Sequence, residues 1–345
     1  MKFSSKMKKC FSTFLVFIIA FSLLVGCGKN ATQVKMSTQP KTTGETQERI
    51  SIVCTMFPQY DFVRQIVGDK SDNYLLLTPG ADTHSYEPTT DDMIRITKSD
   101  IFIYIGDQME TWASSIIKTI DKDKTIVLNL SQELGLNVEA HAHEHAHVED
   151  NAHEKDEKTY DPHIWTSPVI AAQMMDVICD TISRADSLNS NYYKSNSDVY
   201  RNEILQISSD ISEVVSKAEY KKIYFSNEFA LTNFVNQYAL EYMAAFDTCG
   251  DNAEASALKI TQIMKEIKAN DVPVIFYSEL KDPREAKSIS DETGAQMKLF
   301  HSCHNVSQAD FLAGETYISL MGANVENLKI ALGTTQEKDG ETSDE

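Results

Sequence analysis

Positive charge is scarce in this chain of 345 residues: 32 Lys and Arg stand against 51 Asp and Glu, for a formal net charge of −19. That balance argues against nucleic acid as a partner, because affinity for phosphate rests on clustered cations. Long hydrophobic runs are scarce too. The one stretch that stands out, residues 10–26, is shorter than the ~20 residues that a membrane-spanning helix needs. No helix-forming segment carries a His-Glu-x-x-His pair, the usual mark of a zinc hydrolase. What remains is an ordinary globular mixture, 42% hydrophobic and 24% charged, which excludes wholesale disorder and a fibrous chain. The length predicts about two domains. A surplus of acid also suits a protein that handles cations.

What is present begins at the N-terminus. Lys2, Lys6, Lys8 and Lys9 precede the apolar stretch, the pattern of an export signal over residues 1–26. The stretch ends in Leu24-Val25-Gly26-Cys27, which resembles a bacterial lipoprotein signal. That resemblance implies that Cys27 is acylated and becomes the first residue of the mature chain. The expected location is the extracytoplasmic face of the cell membrane, because two or more acyl chains hold a protein stably on a lipid surface. Residues 27–48 are polar and aperiodic and read as a flexible tether, and the acidic residues 334–345 read as a disordered tail.

Between residues 49 and 333, short β-rich runs alternate with amphipathic segments. Strands are expected at residues 50–55, 74–78, 101–105 and 125–130, with helices at 60–67, 89–99 and 110–120. A second set of strands is expected at 223–226, 242–246, 272–278 and 296–300, with helices at 230–238, 257–269, 284–293 and 317–332. Apolar β-branched runs separated by helices argue for parallel sheets covered on both faces. The fold class is therefore α/β, with two (β/α) lobes at residues 49–188 and 219–333. Residues 168–218 carry no strand signal. A helix is expected at 171–182. Beyond Asn189, the residues Tyr193, Val199, Tyr200, Ile204, Ile207, Ile211 and Val214 recur at helical spacing. Residues 189–218 thus predict either one long linking helix or two shorter ones broken near Ser208-Ser209.

The histidines are unevenly placed. Five of the nine, His141, His143, His145, His147 and His153, fall in residues 139–158, interleaved with Glu144, Glu149 and Asp150. Imidazole and carboxylate are the usual ligands of divalent zinc, copper or nickel. The segment has no apolar periodicity, so a mobile loop that collects metal weakly at several points is expected. Each ring must be neutral to ligate, so capture should weaken below pH ~6.5. The other four are His84, His163, His301 and His304. His84 and His301 follow expected strands, and ligands in open α/β sheets gather outside the carboxyl ends of strands.

These residues carry a family resemblance. The chain resembles the zinc/manganese-type solute-binding lipoproteins of ABC importers over nearly its whole mature length. The markers are Met56-Phe57-Pro58 with Tyr60, the stretch Gly80-Ala81-Asp82-Thr83-His84-Ser85-Tyr86-Glu87-Pro88-Thr89, and Asp161-Pro162-His163-Ile164-Trp165-Thr166-Ser167-Pro168. They continue in Ile275-Phe276-Tyr277-Ser278-Glu279, Glu292-Thr293-Gly294-Ala295 and Tyr317-Ile318-Ser319-Leu320-Met321. The resemblance implies two lobes joined by a long rigid helix, metal in the cleft between them, and delivery to a membrane permease. It also implies that His84 and His163 are the two ligands of the N-terminal lobe. The third family ligand falls on Asn227 or Glu228. Glu228 is favoured as the better ligand, with Asn227 as a helix N-cap. The fourth falls on His301, and His304 and Glu279 stay in reserve as ligands or their supports. Three His and one Glu suit tetrahedral zinc better than the oxygen-rich shell of manganese.

Of the six cysteines, Cys10 leaves with the signal and Cys27 is acylated. Cys54 and Cys179 read as plain buried side chains. Cys249 and Cys303 each follow a strand of the second half, and export makes a disulfide between them the expectation. Cys303, between His301 and His304, could alternatively ligate zinc.

The leading expectation is a monomeric, non-enzymatic protein that captures zinc, or alternatively manganese, and passes it to an ABC permease. An exported zinc hydrolase using Glu279 or Glu228 as a base, and a surface adhesin with structural metal, are the competing expectations.

Overall fold

The computed structural model describes residues 49–83, 85–136, 161–246 and 257–334. Strands β1 (Ile50–Cys54), β2 (Ser71–Leu75), β3 (Ile101–Tyr104) and β4 (Ile126–Asn129) form a parallel sheet in the order β2-β1-β3-β4. Strands β5 (Lys222–Phe225), β6 (Glu241–Ala244), β7 (Val274–Ser278) and β8 (Gln296–Phe300) repeat that order as β6-β5-β7-β8, again parallel. Two α/β lobes result, as the alternating pattern requires.

Alternation along each strand feeds two cores. Ile52, Ile101 and Ile103 face one side, while Val53, Phe102 and Tyr104 face the other. The second sheet does the same with Ile223, Phe225 and Phe276 on one face and Tyr224 and Ile275 on the other. The first face of each sheet belongs to a single continuous core that also holds Ile178, Ile204 and Leu328. The lobes are therefore fused through apolar packing.

The N-terminal lobe carries α1 (Phe57–Val67), α2 (Thr90–Lys98), α3 (Ala113–Ile117) and α4 (Leu130–Glu133). Then come α5 (Pro168–Ala185) and α6 (Ser190–Ser216). The C-terminal lobe adds α7 (Thr232–Tyr238), α8 (Ala257–Ala269), α9 (Arg284–Thr293), α10 (Gln308–Ala313) and α11 (Tyr317–Ala331). The 27-residue α6 is one helix, unbroken at Ser208-Ser209. At 1.5 Å per residue it spans about 40 Å. Its buried stripe is Tyr193, Tyr200, Ile204, Ile207, Ile211 and Val214, and Tyr238 of α7 holds Ser208 Oγ at 3.0 Å.

One buried carboxylate ties both lobes to this helix. Asp61 of α1 accepts hydrogen bonds from Tyr200 Oη of α6 at 2.5 Å, from the Tyr317 amide of α11 at 2.8 Å and from Arg64 Nε at 2.6 Å. Arg64 reaches on to the carbonyl of Glu315.

Local chemistry shifts some expected boundaries. The helix expected at 110–120 shrinks to α3, because the Glu110 carboxylate turns back to accept from the amides of Ile105 and Gly106. The strand expected through residue 130 stops at Asn129, whose side chain caps α4 by accepting from the Gln132 amide. Helix α10 was not expected. Ser307 caps it by accepting from the Asp310 amide. No helix among the described residues is long and apolar enough to cross a membrane.

Candidate metal centre

Loops that leave the carboxyl ends of β2, β5, β7 and β8 converge on a cavity of about 90 Å³ between the lobes. Its lining includes Asp82, Glu228, Glu279, Lys281, Ser302 and His304. The loop after β2 is strapped to the opposite lobe. The Gly80 amide donates to the Val306 carbonyl at 2.8 Å, and Asn305 Nδ2 donates to the carbonyls of Thr78 and Ala81. Gly80 has φ +87°, a conformation that glycine adopts without strain. His84 itself lies outside the described residues.

His163 precedes a single 3₁₀ turn, Ile164–Thr166, that leads into α5. Its buried ring meets the ring of His304 edge-on, with centroids 4.4 Å apart, and Trp165 stands 5.0 Å from the same His304 ring. One histidine comes from each lobe. The His163 turn docks on the other lobe: Asp161 Oδ2 accepts from the Thr232 amide, and Asn233 Nδ2 donates to the carbonyls of Asp161 and His163.

Hydrogen bonds decide which ring nitrogen is available to a cation. Asp161 Oδ1 lies 2.5 Å from His163 Nδ1. A carboxylate can only accept, so Nδ1 carries the proton and the buried Nε2 keeps its lone pair. Burial pushes the Asp161 carboxyl upward, but the bonds from His163 and Thr232 outweigh it, leaving the group below the usual carboxylate range. His304 is arranged the same way through a relay. Ser302 Oγ donates to Glu279 Oε1 at 2.5 Å and lies 2.6 Å from His304 Nδ1. With the hydroxyl proton spent on Glu279, His304 Nδ1 must donate, and its lone pair also sits on the buried Nε2.

His301, expected as the fourth ligand, is arranged the opposite way. Its Nδ1 accepts from the Cys303 amide at 3.0 Å, so its proton sits on Nε2, which is buried with no hydrogen-bond partner among the described residues. The ring that meets His163 is that of His304.

Asn227 and Glu228 lie in different surroundings. The Asn227 amide oxygen accepts from the Ser278 backbone at 3.2 Å. It is no helix N-cap, since α7 begins at Thr232 with Leu231 at the cap. Glu228 lines the cavity, with its Oε2 3.4 Å from Lys281 Nζ.

Cys303 is a free, fully buried thiol held at φ +61°, with Sγ against the His301 carbonyl. Cys249, its expected disulfide partner, lies outside the described residues, as do Cys27 and the loop histidines His141, His143, His145, His147 and His153. Among the described residues no three His, Cys, Asp or Glu side chains are already gathered in metal-holding geometry.

The sequence did not single out Asp161 or Ser302 as supports. An acid two residues before His163 was a usable signal. Nothing in the sequence marks Ser302.

The profile of the family described as zinc-uptake complex component A, periplasmic (ZnuA) matches residues 52–331. The high-affinity zinc uptake system protein ZnuA of Bacillus subtilis is 29% identical over 326 residues, covering 94% of this chain and 99% of that protein. The zinc-binding lipoprotein AdcA of Streptococcus pneumoniae is 28% identical over 284 residues, covering 81% of this chain and 55% of its own length, so the chain spans about half of that relative. The Zn(II)-bound ZnuA-like domain of Streptococcus pneumoniae AdcA matches with a TM-score of 0.67 at 25% identity, covering 83% of this chain and 99% of the domain.

Proposed function

The chain belongs to this family of periplasmic zinc-uptake components, and on that premise we propose that it captures zinc outside the cytoplasm and hands it to the permease of an ABC importer. The ligands are His84 and His163 from the N-terminal lobe and Glu228 and His304 from the C-terminal lobe. His304 takes the role first expected of His301. One observation carries the assignment: the rings of His163 and His304 meet at 4.4 Å from opposite lobes, and each Nδ1 is tied down so that the lone pair is left on Nε2.

Three imidazoles and one carboxylate suit tetrahedral zinc over manganese. Four protein ligands also close the coordination sphere, whereas a catalytic zinc keeps a position for water. The protein is thus a carrier and not an enzyme. It acts as a monomer, held to the outer face of the membrane through acylated Cys27. Fused lobes and the stiff α6 limit it to small closing movements, and the His-rich loop serves as a collector.

Calorimetry on chelator-treated protein tests the assignment. His163→Ala and His304→Ala should lower zinc affinity by orders of magnitude, His301→Ala should leave it near the unaltered value, and deletion of residues 141–153 should have a much smaller effect. Unaltered affinity in His304→Ala would remove His304 from the ligand set. Mass spectrometry of protein purified with its native metal would identify the cargo, and manganese there would overturn zinc.

A further inference from the structure

Lys281 spans the mouth of the cavity. It follows β7 in the C-terminal lobe, and its Nζ donates to Asp82 Oδ2, in the N-terminal loop that leads to His84, at 3.1 Å. The same ammonium lies 3.4 Å from Glu228 Oε2. The preceding residue, Leu280, sits at φ +58° and is 45% exposed. A leucine rarely adopts this left-handed backbone, which costs conformational energy that the surroundings must supply. The turn it makes aims Lys281 back across the cleft. Three carboxylates, Asp82, Glu228 and Glu279, line this cavity, and Lys281 is the only Lys or Arg among the described residues of its lining.

We propose that Lys281 is a positioning residue that latches the His84-bearing loop to the C-terminal lobe and thereby sets how fast the metal leaves. This inference rests on the zinc reading above. Two features favour a latch over a lysine that merely competes with zinc for Glu228. Asp82 is the nearer partner, so a metal that draws Glu228 away leaves the bond between the lobes in place. The rest of the strap runs through Gly80, Asn305 and Val306 and uses backbone groups or a buried amide. Lys281–Asp82 is its partly exposed outer end, with side chains 34% and 32% exposed, and so the end that can open first.

The test is a stopped-flow chase of the zinc-loaded full chain with excess chelator, read with a zinc-responsive dye. Lys281→Met and Asp82→Asn should each speed zinc release, roughly fivefold for a partly exposed ion pair. The double variant should release no faster than either single one, because both cut the same bond. Lys281→Arg should restore slow release. Slower release from Lys281→Met would show competition for Glu228 and overturn the latch. Release at the unaltered rate in both variants, or additive effects in the double variant, would overturn it as well. If the unaltered chain takes up no zinc, the metal reading falls and the latch with it. If it holds zinc and only the variant pattern fails, the latch alone falls.

Discussion

The indole N–H of Trp165 donates to the carbonyl of Ser302 at 2.9 Å, from one lobe to the other. The same indole is fully buried, and its ring centre lies 5.5 Å from that of His163 and 5.0 Å from that of His304. Tyr317 Oη donates to the Trp165 carbonyl at 2.7 Å, which links this contact to the start of α11. Any change in charge on the two imidazoles therefore occurs beside one rigid fluorophore.

Zinc binding should accordingly be visible in the emission of Trp165. The chain has two tryptophans, and Trp112→Phe leaves Trp165 alone. Titrating zinc into that variant should change its emission and reach the half-point at the zinc concentration found by calorimetry. A spectrum indifferent to saturating zinc would count against a metal beside His163 and His304.

The Asp61 junction should dominate stability at the place where the lobes meet α6. Tyr200→Phe removes a buried hydrogen bond to a charged acceptor and should cost about 2 kcal/mol. Asp61→Ala strands Arg64 and two further donors and should cost about 3–5 kcal/mol. The double variant should lose less than the sum, because both changes act on one network. Urea unfolding of the metal-free protein measures all three, and full additivity would show that the junction does not act as a unit.

Glu110 gives stability a pH dependence of known sign. Burial raises its carboxyl from an ordinary 4.5 to about 7, even against hydrogen bonds from Thr55, Ile105 and Gly106. The folded state therefore holds this proton more tightly than the unfolded state does. Its contribution is fully present below pH 4.5 and is lost as pH rises through about 7. Relative to the unaltered protein, Glu110→Gln should remove that decline between pH 4.5 and 7. Chemical unfolding of metal-free protein across that range checks it, and parallel curves for the two proteins would contradict the assignment.

Much of the architecture was legible before any coordinates. The bounds of α8, α9 and β8 coincide with the sequence expectation, because apolar spacing and the stop at Gly294 are local signals. Register around Glu110 was not legible, since a helix-forming stretch there gives way to hydrogen bonds that its carboxylate makes with the loop after β3. The choice between one linking helix and two also depended on packing. Ser208 weakens the helix by propensity, but Tyr238 from another element bonds its hydroxyl and keeps α6 whole.

The amino-acid sequence on its own determined the two α/β lobes and the helical segment between them, because these follow from periodicity and residue type, whereas His84, His163 and Glu228 came as candidate ligands from the family resemblance. Only the tertiary structure separates the surroundings of His301 from those of His304. The two differ by three positions, and their roles depend on which ring nitrogen is left with a lone pair. That is fixed in one case by the Ser302 hydroxyl, which donates to Glu279 and so accepts from His304, and in the other by the Cys303 amide, which donates to His301. The pairing of Lys281 with Asp82, 199 positions apart, was likewise beyond any local pattern, because it exists only where the lobes face each other.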